Sequence, residues 1–231
     1  MAQCPYLLGV NHMKILTAAA IALICSGAFA QKAVVPEVAD TVRSFLDENG
    51  SDMSELEPSC PTFESCSHMN YHKKTYRFTG DAQEAFDLLT KLRPHEIWHG
   101  TSRFEMEYDP ASKMLLGKTH ELPEIAIGQI FFLELDIIKQ MQIPVAFQVV
   151  ELDRETRSVS FSYLKQNKSN GIQRITFEDD GEKFKIIHET HFQSDSKFRD
   201  KFLYGVFHTK LLNNVWKNFD AKYKAKNITG R

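Results

Sequence analysis

The stretch GIQRITFEDDGEKFKIIHETHF, residues 171 to 192, holds two long strand-forming runs joined at Asp180-Gly181. An Asp-Gly junction between such runs is a strong short-range hairpin signal. An apolar-striped segment follows, from about Lys197 to Lys224. In it Phe202, Leu203, Val206, Phe207, Leu211, Val215, Trp216, Phe219 and Tyr223 keep helical spacing. At 1.5 Å per residue such a helix is about 40 Å long. Asp220 sits among Lys217, Lys222, Lys224 and Lys226, so positive charge gathers in the last turns, which suits the helix macrodipole. A chain that ends this way must offer its helix a wide apolar surface.

Short strands upstream can supply that surface. HKKTYRF, 72 to 78, is a polar-rich strand candidate leading into TGDAQEAFDLLTKL. Asp81 with Glu84 makes a capping-box-like start, and Ala85, Phe86, Leu88, Leu89 and Leu92 form a stripe that Pro94 ends. SRFEMEY alternates, with Phe104, Met106 and Tyr108 on one face, and Asp109-Pro110-Ala111-Ser112 is a turn. KMLLGK follows, then GQIFFLELDI with Phe131, Leu133, Leu135 and Ile137 on one face, then PVAFQVVEL. SVSFSYLKQ places Val159, Phe161 and Tyr163 together, and DRETR and NKSNG break the chain. Successive short loops imply an antiparallel sheet. The expected class is α+β, with the terminal helix covering one face of that sheet.

The beginning of the chain reads differently. MKILTAAAIALICSGAFAQ, residues 13 to 31, has one Lys, an apolar run from Ile15 to Cys25, then Ala28-Phe29-Ala30. That is the order of a secretory signal peptide, too short for a membrane span. A buried N-terminal helix is the competing reading. Met13 is the expected start and Ala30 the expected cleavage point, leaving MAQCPYLLGVNH as an over-long beginning. Leu23-Ile24 before Cys25 does not make a lipobox. The expected location is periplasmic or secreted. Removing residues 1 to 30 takes away one charged side chain, Lys14, and moves the formal net charge from -2 to -3. No basic run stands out, so nucleic-acid binding lacks its electrostatic footprint. No second apolar run approaches a membrane span, so the mature chain is expected to have no integral membrane segment.

Residues 31 to 70 read as an extension. Val38, Val42, Phe45 and Leu46 are spaced for a short amphipathic helix with Pro36 near its first turn, and Asn49-Gly50-Ser51 ends it. Cys60 and Cys66 follow in PSCPTFESCSHMNYH. In an exported chain two such cysteines make a disulfide. Free thiols are a second reading. A third is a metal site, since Cys60, Cys66, His68 and His72 give four suitable ligand types, although C-x5-C is not the usual close pair. The expected organisation is residues 1–30 as leader, 31–70 as extension and 71–231 as the domain.

The opening TYRFTGDAQEAFDLLTKL, the run of strands and the closing FHTKLLNNVWKNFDAKY resemble the START-like, birch-pollen-allergen-like helix-grip superfamily of lipid-transfer domains, polyketide cyclases and ring hydroxylase domains. The resemblance covers about residues 71 to 225. It implies a curved antiparallel sheet of about six or seven strands gripping the long C-terminal helix, short helices after the first strand, and a cavity between sheet and helix. The expected lining from the strands is Phe104, Met106, Tyr108, Phe131, Leu133, Phe147, Phe161, Tyr163 and Ile175; Phe207 and Leu211 come from the helix. A filled core shares this pattern with an open pocket. The expected function is binding or carriage of an apolar small molecule or lipid, with no cofactor and no metal. Burying about ten methylenes yields on the order of 8 kcal/mol gross.

Two alternatives stand beside it. A cyclase- or hydrolase-like enzyme would need a polar cluster in the same cavity, and Glu134, Gln148, Glu151, Arg174, His188, Glu189 and His191 lie on these strands. HETH is not H-E-x-x-H, and on a strand His188 and His191 point to opposite faces. Arg174 reads as a solvated strand residue. Trp98, in RPHEIWHG, reads as a plug at the end of the core. The second alternative is a cell-envelope interaction module with a filled core and a cysteine-tied extension.

Overall fold

The computed structural model describes residues 37–50, 52–138, 141–196, 200 and 204–229. The expected signal segment, Phe202 and Leu203 lie outside the described residues, as does the side chain of Ile137. By its contacts the chain divides into residues 1–31 and 32–231, and everything described below belongs to the second unit.

The described residues form eight strands: β1 (Asn70–Thr79), β2 (Ser102–Asp109), β3 (Met114–Gly117), β4 (Ile130–Ile138), β5 (Met141–Asp153), β6 (Ser158–Tyr163), β7 (Ser169–Asp180) and β8 (Lys183–Ser194). They make one antiparallel sheet in the order β1-β8-β7-β6-β5-β4-β2-β3. The count exceeds the six or seven that the resemblance implies and equals the eight strand candidates in the sequence; the short edge strand β3 pairs with β2 alone. In the quoted hairpin Asp180 pairs with Lys183 across Gly181-Glu182. Gly181 takes φ +70, a left-handed value that glycine adopts without steric cost. Register shifts at Phe104/Met106, Asp136/Ile138 and Val149/Glu151 insert extra residues that bend strands and increase twist.

Helix α1 (Asp40–Asn49), α2 (Ala82–Lys91) and α3 (Tyr204–Thr229) complete the fold. The Asp81 side chain accepts the Glu84 N–H at 2.8 Å and caps α2. On the sheet's inner face lies a core that includes Phe86, Phe104, Phe131, Phe161, Phe177 and Trp216. Helix α3 buries His208, Leu212, Val215, Trp216, Phe219 and Tyr223, one stripe at helical spacing. Val206, expected on that stripe, is 67% exposed, because His208 holds the buried position two residues on.

The long helix is fastened by polar side chains from Asn214 onward. Asn214 Oδ1 accepts from the Thr101 N–H and hydroxyl at 2.9 and 3.0 Å, and Asn218 donates to the carbonyls of Ile97 and His99 at 2.9 and 3.1 Å. Lys222 pairs with Glu96 at 2.8 Å. The Tyr223 hydroxyl accepts from the Asp81 N–H at 3.0 Å and lies so close to Gly80 that a Cβ there would come within 2.4 Å of it.

The outer face carries the extension. Val42, Phe45 and Leu46 of α1 join Met106, Ile130, Phe132, Ala146 and Leu164 in a second core. Cys60 and Cys66 form a disulfide, which takes both thiols out of the metal site considered above. Its loop docks on β6 and β7: Ser59 N–H donates to the Tyr163 carbonyl at 2.7 Å and Cys60 N–H to the Ser162 hydroxyl at 2.9 Å. Arg174 clamps it, 4.2 Å above the Phe63 ring and paired with Glu64 at 2.9 Å and Glu151 at 3.1 Å. Arg174 is therefore a half-buried bracket, with the loop covering it where open solvent was expected.

Candidate functional site

The deep cavity lies between the sheet and α3, and a wide one adjoins it between the start of α3, the Met141 end of β5 and helix α1; the two share Leu135, Tyr163, His208 and Leu211 as walls. The deep one holds about 80 Å³ and the wide one about 770 Å³. Strand lengths explain the wide one. Pairing of β5 with β6 begins only at Phe147 opposite Tyr163, so residues 141–146 run on without a β6 neighbour. Asn167 serves as a substitute strand there: its side chain accepts the Ala146 N–H at 3.1 Å and donates to the Ala146 carbonyl at 2.7 Å. The wide cavity opens beside this overhang, between Ile143 and Pro144 of β5, Phe45 of α1, and Tyr204 and Phe207 of α3.

The expected lining residues divide into groups. Phe147, Phe161, Tyr163, Ile175 and Leu211 face the deep cavity, and Phe207 faces the wide one. Phe104, Phe131 and Leu133 lie in the inner core behind the cavity wall. Met106 and Tyr108 belong to the outer-face core, because the bulge after Phe104 reverses the alternation along β2. Trp98 faces the deep cavity and touches Phe131 and Phe161, ring centroids 5.5 and 6.2 Å away.

A buried polar chain crosses the cavity wall. His188 Nε2 lies 2.7 Å and His208 Nε2 3.3 Å from Gln173 Oε1. His208 Nδ1 faces His72 Nδ1 at 3.1 Å, and the Thr209 hydroxyl lies 3.3 Å from His72 Nε2. On the other side the Gln173 amide donates to the Tyr163 hydroxyl at 3.4 Å, which meets the Tyr204 hydroxyl at 3.1 Å. An amide oxygen only accepts, so both imidazoles donate to it through Nε2. His208 Nδ1 is then an acceptor, His72 Nδ1 its donor, and His72 Nε2 accepts from Thr209. One proton arrangement satisfies every link.

That arrangement leaves His188 Nδ1 as a bare acceptor. It is buried without a protein partner, as are Trp216 Nε1 and Ser102 Oγ, and all three residues line the deep cavity. A buried polar atom left unpaired costs about 1–3 kcal/mol. Burial holds the titrating groups in their neutral forms: His188 falls to about 3, with the charge of His72 a smaller cause. Burial likewise pushes His208 well down, helped by His188 and His72, and lowers His72 itself. Tyr163 rises to about 12 and Tyr204 also rises, both from burial first. Among the described residues no Asp, Glu, Lys or Arg lines the deep cavity.

Of the polar strand residues singled out in the sequence, His188 alone faces the cavities. His191 turns to the outer face, its ring tilted against those of Phe63 and Tyr71. Glu134 pairs with Arg103, and Glu151 with Arg174. Gln173, Tyr204 and His208 were missed, and His72 was considered only as a metal ligand. His208 had a signal, since it sits at positions i, i+4, i+7 and i+8 with Leu212, Val215 and Trp216. Among the described residues no cluster of three or more His, Cys, Asp or Glu could hold a metal ion.

A bent antiparallel sheet closed by a long C-terminal helix, with short helices after the first strand and a cavity between, is the helix-grip fold. Two solved structures agree. KanY superposes with a TM-score of 0.51 at 10% identity, covering 68% of this chain and 98% of its own. TTHA0849 from Thermus thermophilus gives 0.51 at 9% identity, covering 68% of this chain and 99% of its own. The major latex-like protein 151 of Panax ginseng gives 0.47 at 14% identity, covering 66% and 97%. No family model matches the chain, and no curated protein does.

Proposed function

We propose that this protein binds a largely apolar small molecule or lipid between the sheet and α3, without catalysis, in an oxidising compartment outside the cytoplasm. The observation that carries the reading is the pair of adjoining cavities. A volume near 770 Å³ lies in the range of small-molecule pockets; half of the residues that wall it are aliphatic or aromatic and supply most of its surface, and the polar half includes Glu48, Asn49, Gln166 and Lys168. After ordering costs, the gross gain from about ten buried methylenes leaves a micromolar-range affinity.

Proton affinities favour binding over a cyclase- or hydrolase-like reaction. A general base works best with a pKa near the working pH. Burial takes His188 to about 3 and Tyr163 to about 12, so at neutral pH each keeps one protonation state. Groups locked this way recognise a ligand by fixed hydrogen bonds. The Cys60–Cys66 bridge supports export, since such bonds form and persist in oxidising compartments. Among the described residues no helix is long and apolar enough to cross a membrane.

Native mass spectrometry of protein isolated from its own host tests the reading, together with titration by a fluorescent fatty acid. The expected result is an apolar co-purifying mass, or saturable uptake of the probe. Absence of both removes the proposal.

A further inference from the structure

We infer that helix α1 is a wall of the ligand site and that the ligand is a single-chain amphiphile. Its polar head lies against α1 and the turn between β6 and β7, and its apolar tail points into the deep cavity. The inference rests on the binding function proposed above and names the class of the ligand and its direction.

Helical spacing gives α1 its part. The α1 residues that wall the wide cavity are Thr41, Ser44, Phe45, Glu48 and Asn49. They fall at i, i+3, i+4, i+7 and i+8, which is one continuous face of a helix. Four of the five are polar. The residues that hold α1 to the sheet, Val42, Phe45 and Leu46, form a neighbouring stripe with Phe45 on the border. Two polar contacts fix the start of the helix. The Ala39 N–H donates to Glu105 Oε2 at 3.2 Å, and the Thr41 hydroxyl donates to Glu134 Oε2 at 2.5 Å. The polar face is thus held beside the cavity by contacts made elsewhere on α1.

Polarity around the cavities divides by position. Apart from His208, the polar residues of the wide cavity come from α1 or from Gln166, Asn167, Lys168 and Ser169, where β6 turns into β7. Apart from Phe45, the aliphatic and aromatic ones come from the sheet and α3. Ser44, Glu48 and Lys168 are exposed, so the polar side is the mouth. Beyond the shared walls Leu135, Tyr163, His208 and Leu211, the deep cavity is lined by no Asp, Glu, Lys or Arg among the described residues.

One direction of binding suits this gradient. At the mouth a head keeps much of its hydration and finds both signs of charge, Glu48 and Lys168. Turned inward, a charged head would lose its water with no counter-charge to meet it, which is expensive. Its tail would then lie along the polar rim, and every methylene left in water forfeits its transfer energy. Size agrees. One water needs about 10–15 Å³ of such space, so the deep cavity, at about 80 Å³, takes the end of a chain. The wide one takes the rest of the molecule.

Two spin-labelled fatty acids test the direction on the unaltered protein: 5-doxylstearic acid, with its nitroxide near the head, and 16-doxylstearic acid, with its nitroxide near the tail end. Both of the chain's tryptophans, Trp98 and Trp216, line the deep cavity, so their indole N–H signals report on it together. In ¹⁵N-labelled protein the 5-doxyl acid is expected to broaden the backbone amides of residues 44–49 and 166–168 more than the indole signals. The 16-doxyl acid is expected to do the reverse. Ser44→Trp, on the cavity face of α1, should weaken uptake of the fluorescent fatty acid about tenfold with the unfolding midpoint held. Arg43→Trp, exposed on α1 but outside the cavity wall, should leave uptake unchanged. A reversed broadening pattern overturns the tail-first direction. Binding that leaves the α1 amides unbroadened, or equal uptake by the two tryptophan variants, overturns the α1 wall; in each case the binding function stands. Failure of both spin-labelled acids and of the fluorescent fatty acid to bind, with no co-purifying apolar mass, removes both.

Discussion

The two faces of this sheet handle buried polarity in opposite ways. On the outer face charges are kept and paired: Arg174 joins Glu64 and Glu151, Arg103 joins Glu134 and Asp136, and Lys118 joins Glu105. Each pair reaches partial solvent; Arg174 ties the disulfide loop to the sheet, and Arg103 joins β2 to β4. On the inner face around the cavities the groups are neutral: three imidazoles, one amide and two phenols. A charge beside solvent keeps much of its hydration and can serve as a clamp. The same charge between the sheet and α3 would be desolvated at a cost of several kcal/mol. Position relative to α3 decides which chemistry a polar residue can carry.

The largest expected effect tests the inner face as a packed core. Phe177 is fully buried against Phe86, Phe184, Trp216 and Phe219. Phe177→Ala should cost about 3–5 kcal/mol in urea unfolding. A cost below about 1 kcal/mol would mean that this region is loosely packed.

The acid limb comes next. The folded chain keeps His188 neutral down to about pH 3, whereas the unfolded chain takes up the proton near 6.5. That contribution is intact above about pH 6.5 and is lost as pH falls toward 3. By pH 4 the loss is about 3 kcal/mol, at roughly 1.4 kcal/mol per unit. His188→Phe should flatten this limb of a urea-midpoint profile.

Glu107 runs the other way. It is 1% exposed, neither carboxylate oxygen has a protein partner, and burial, with Asp109 a lesser cause, raises it to about 7. Its folded carboxyl holds a proton that the unfolded chain releases near 4.5. Stability from this group is intact below about 4.5 and is lost as pH rises to 7. Glu107→Gln should therefore gain on the unaltered protein between pH 4.5 and 8, by on the order of 2–3 kcal/mol. An unchanged difference across that range would show that the carboxyl finds water.

Two smaller effects separate the faces. Cys60→Ser with Cys66→Ser should cost about 2 kcal/mol, by loop-closure entropy for so short a loop, with ligand uptake unchanged. Leu211 walls both cavities and is half-buried, so Leu211→Trp should leave the unfolding midpoint alone and weaken probe uptake about tenfold. If the cysteine pair altered uptake, or Leu211→Trp did not, the division of labour between the faces would fail.

Element order was readable from the chain because alternation and helical spacing are local patterns. The hairpin at Gly181, the Asp81 cap and the closing helix all declare themselves within a dozen residues. The bulge after Phe104 left no such trace, so Met106 and Tyr108 were assigned to the wrong face. The polar chain was hidden for a different reason. His72 and His208 are 136 positions apart, and a lysine-rich strand around His72 gives no hint of burial. Apolar stripes announce a core one residue at a time, whereas a hydrogen-bonded cluster exists only once the strands and helix have met.

The fastenings of α3 have a mechanical consequence. Asn214, Asn218, Lys222 and Tyr223 moor the downstream half to backbone groups and to Glu96, while the upstream half meets the sheet through Tyr204, His208 and Thr209. Lifting the moored half would strand several main-chain donors and acceptors. Among the described residues, the polar contacts that lifting the other half would part are side-chain links alone. The rod is moored more firmly at its downstream end, so a guest of the kind proposed would gain its clearance at the Tyr204 end.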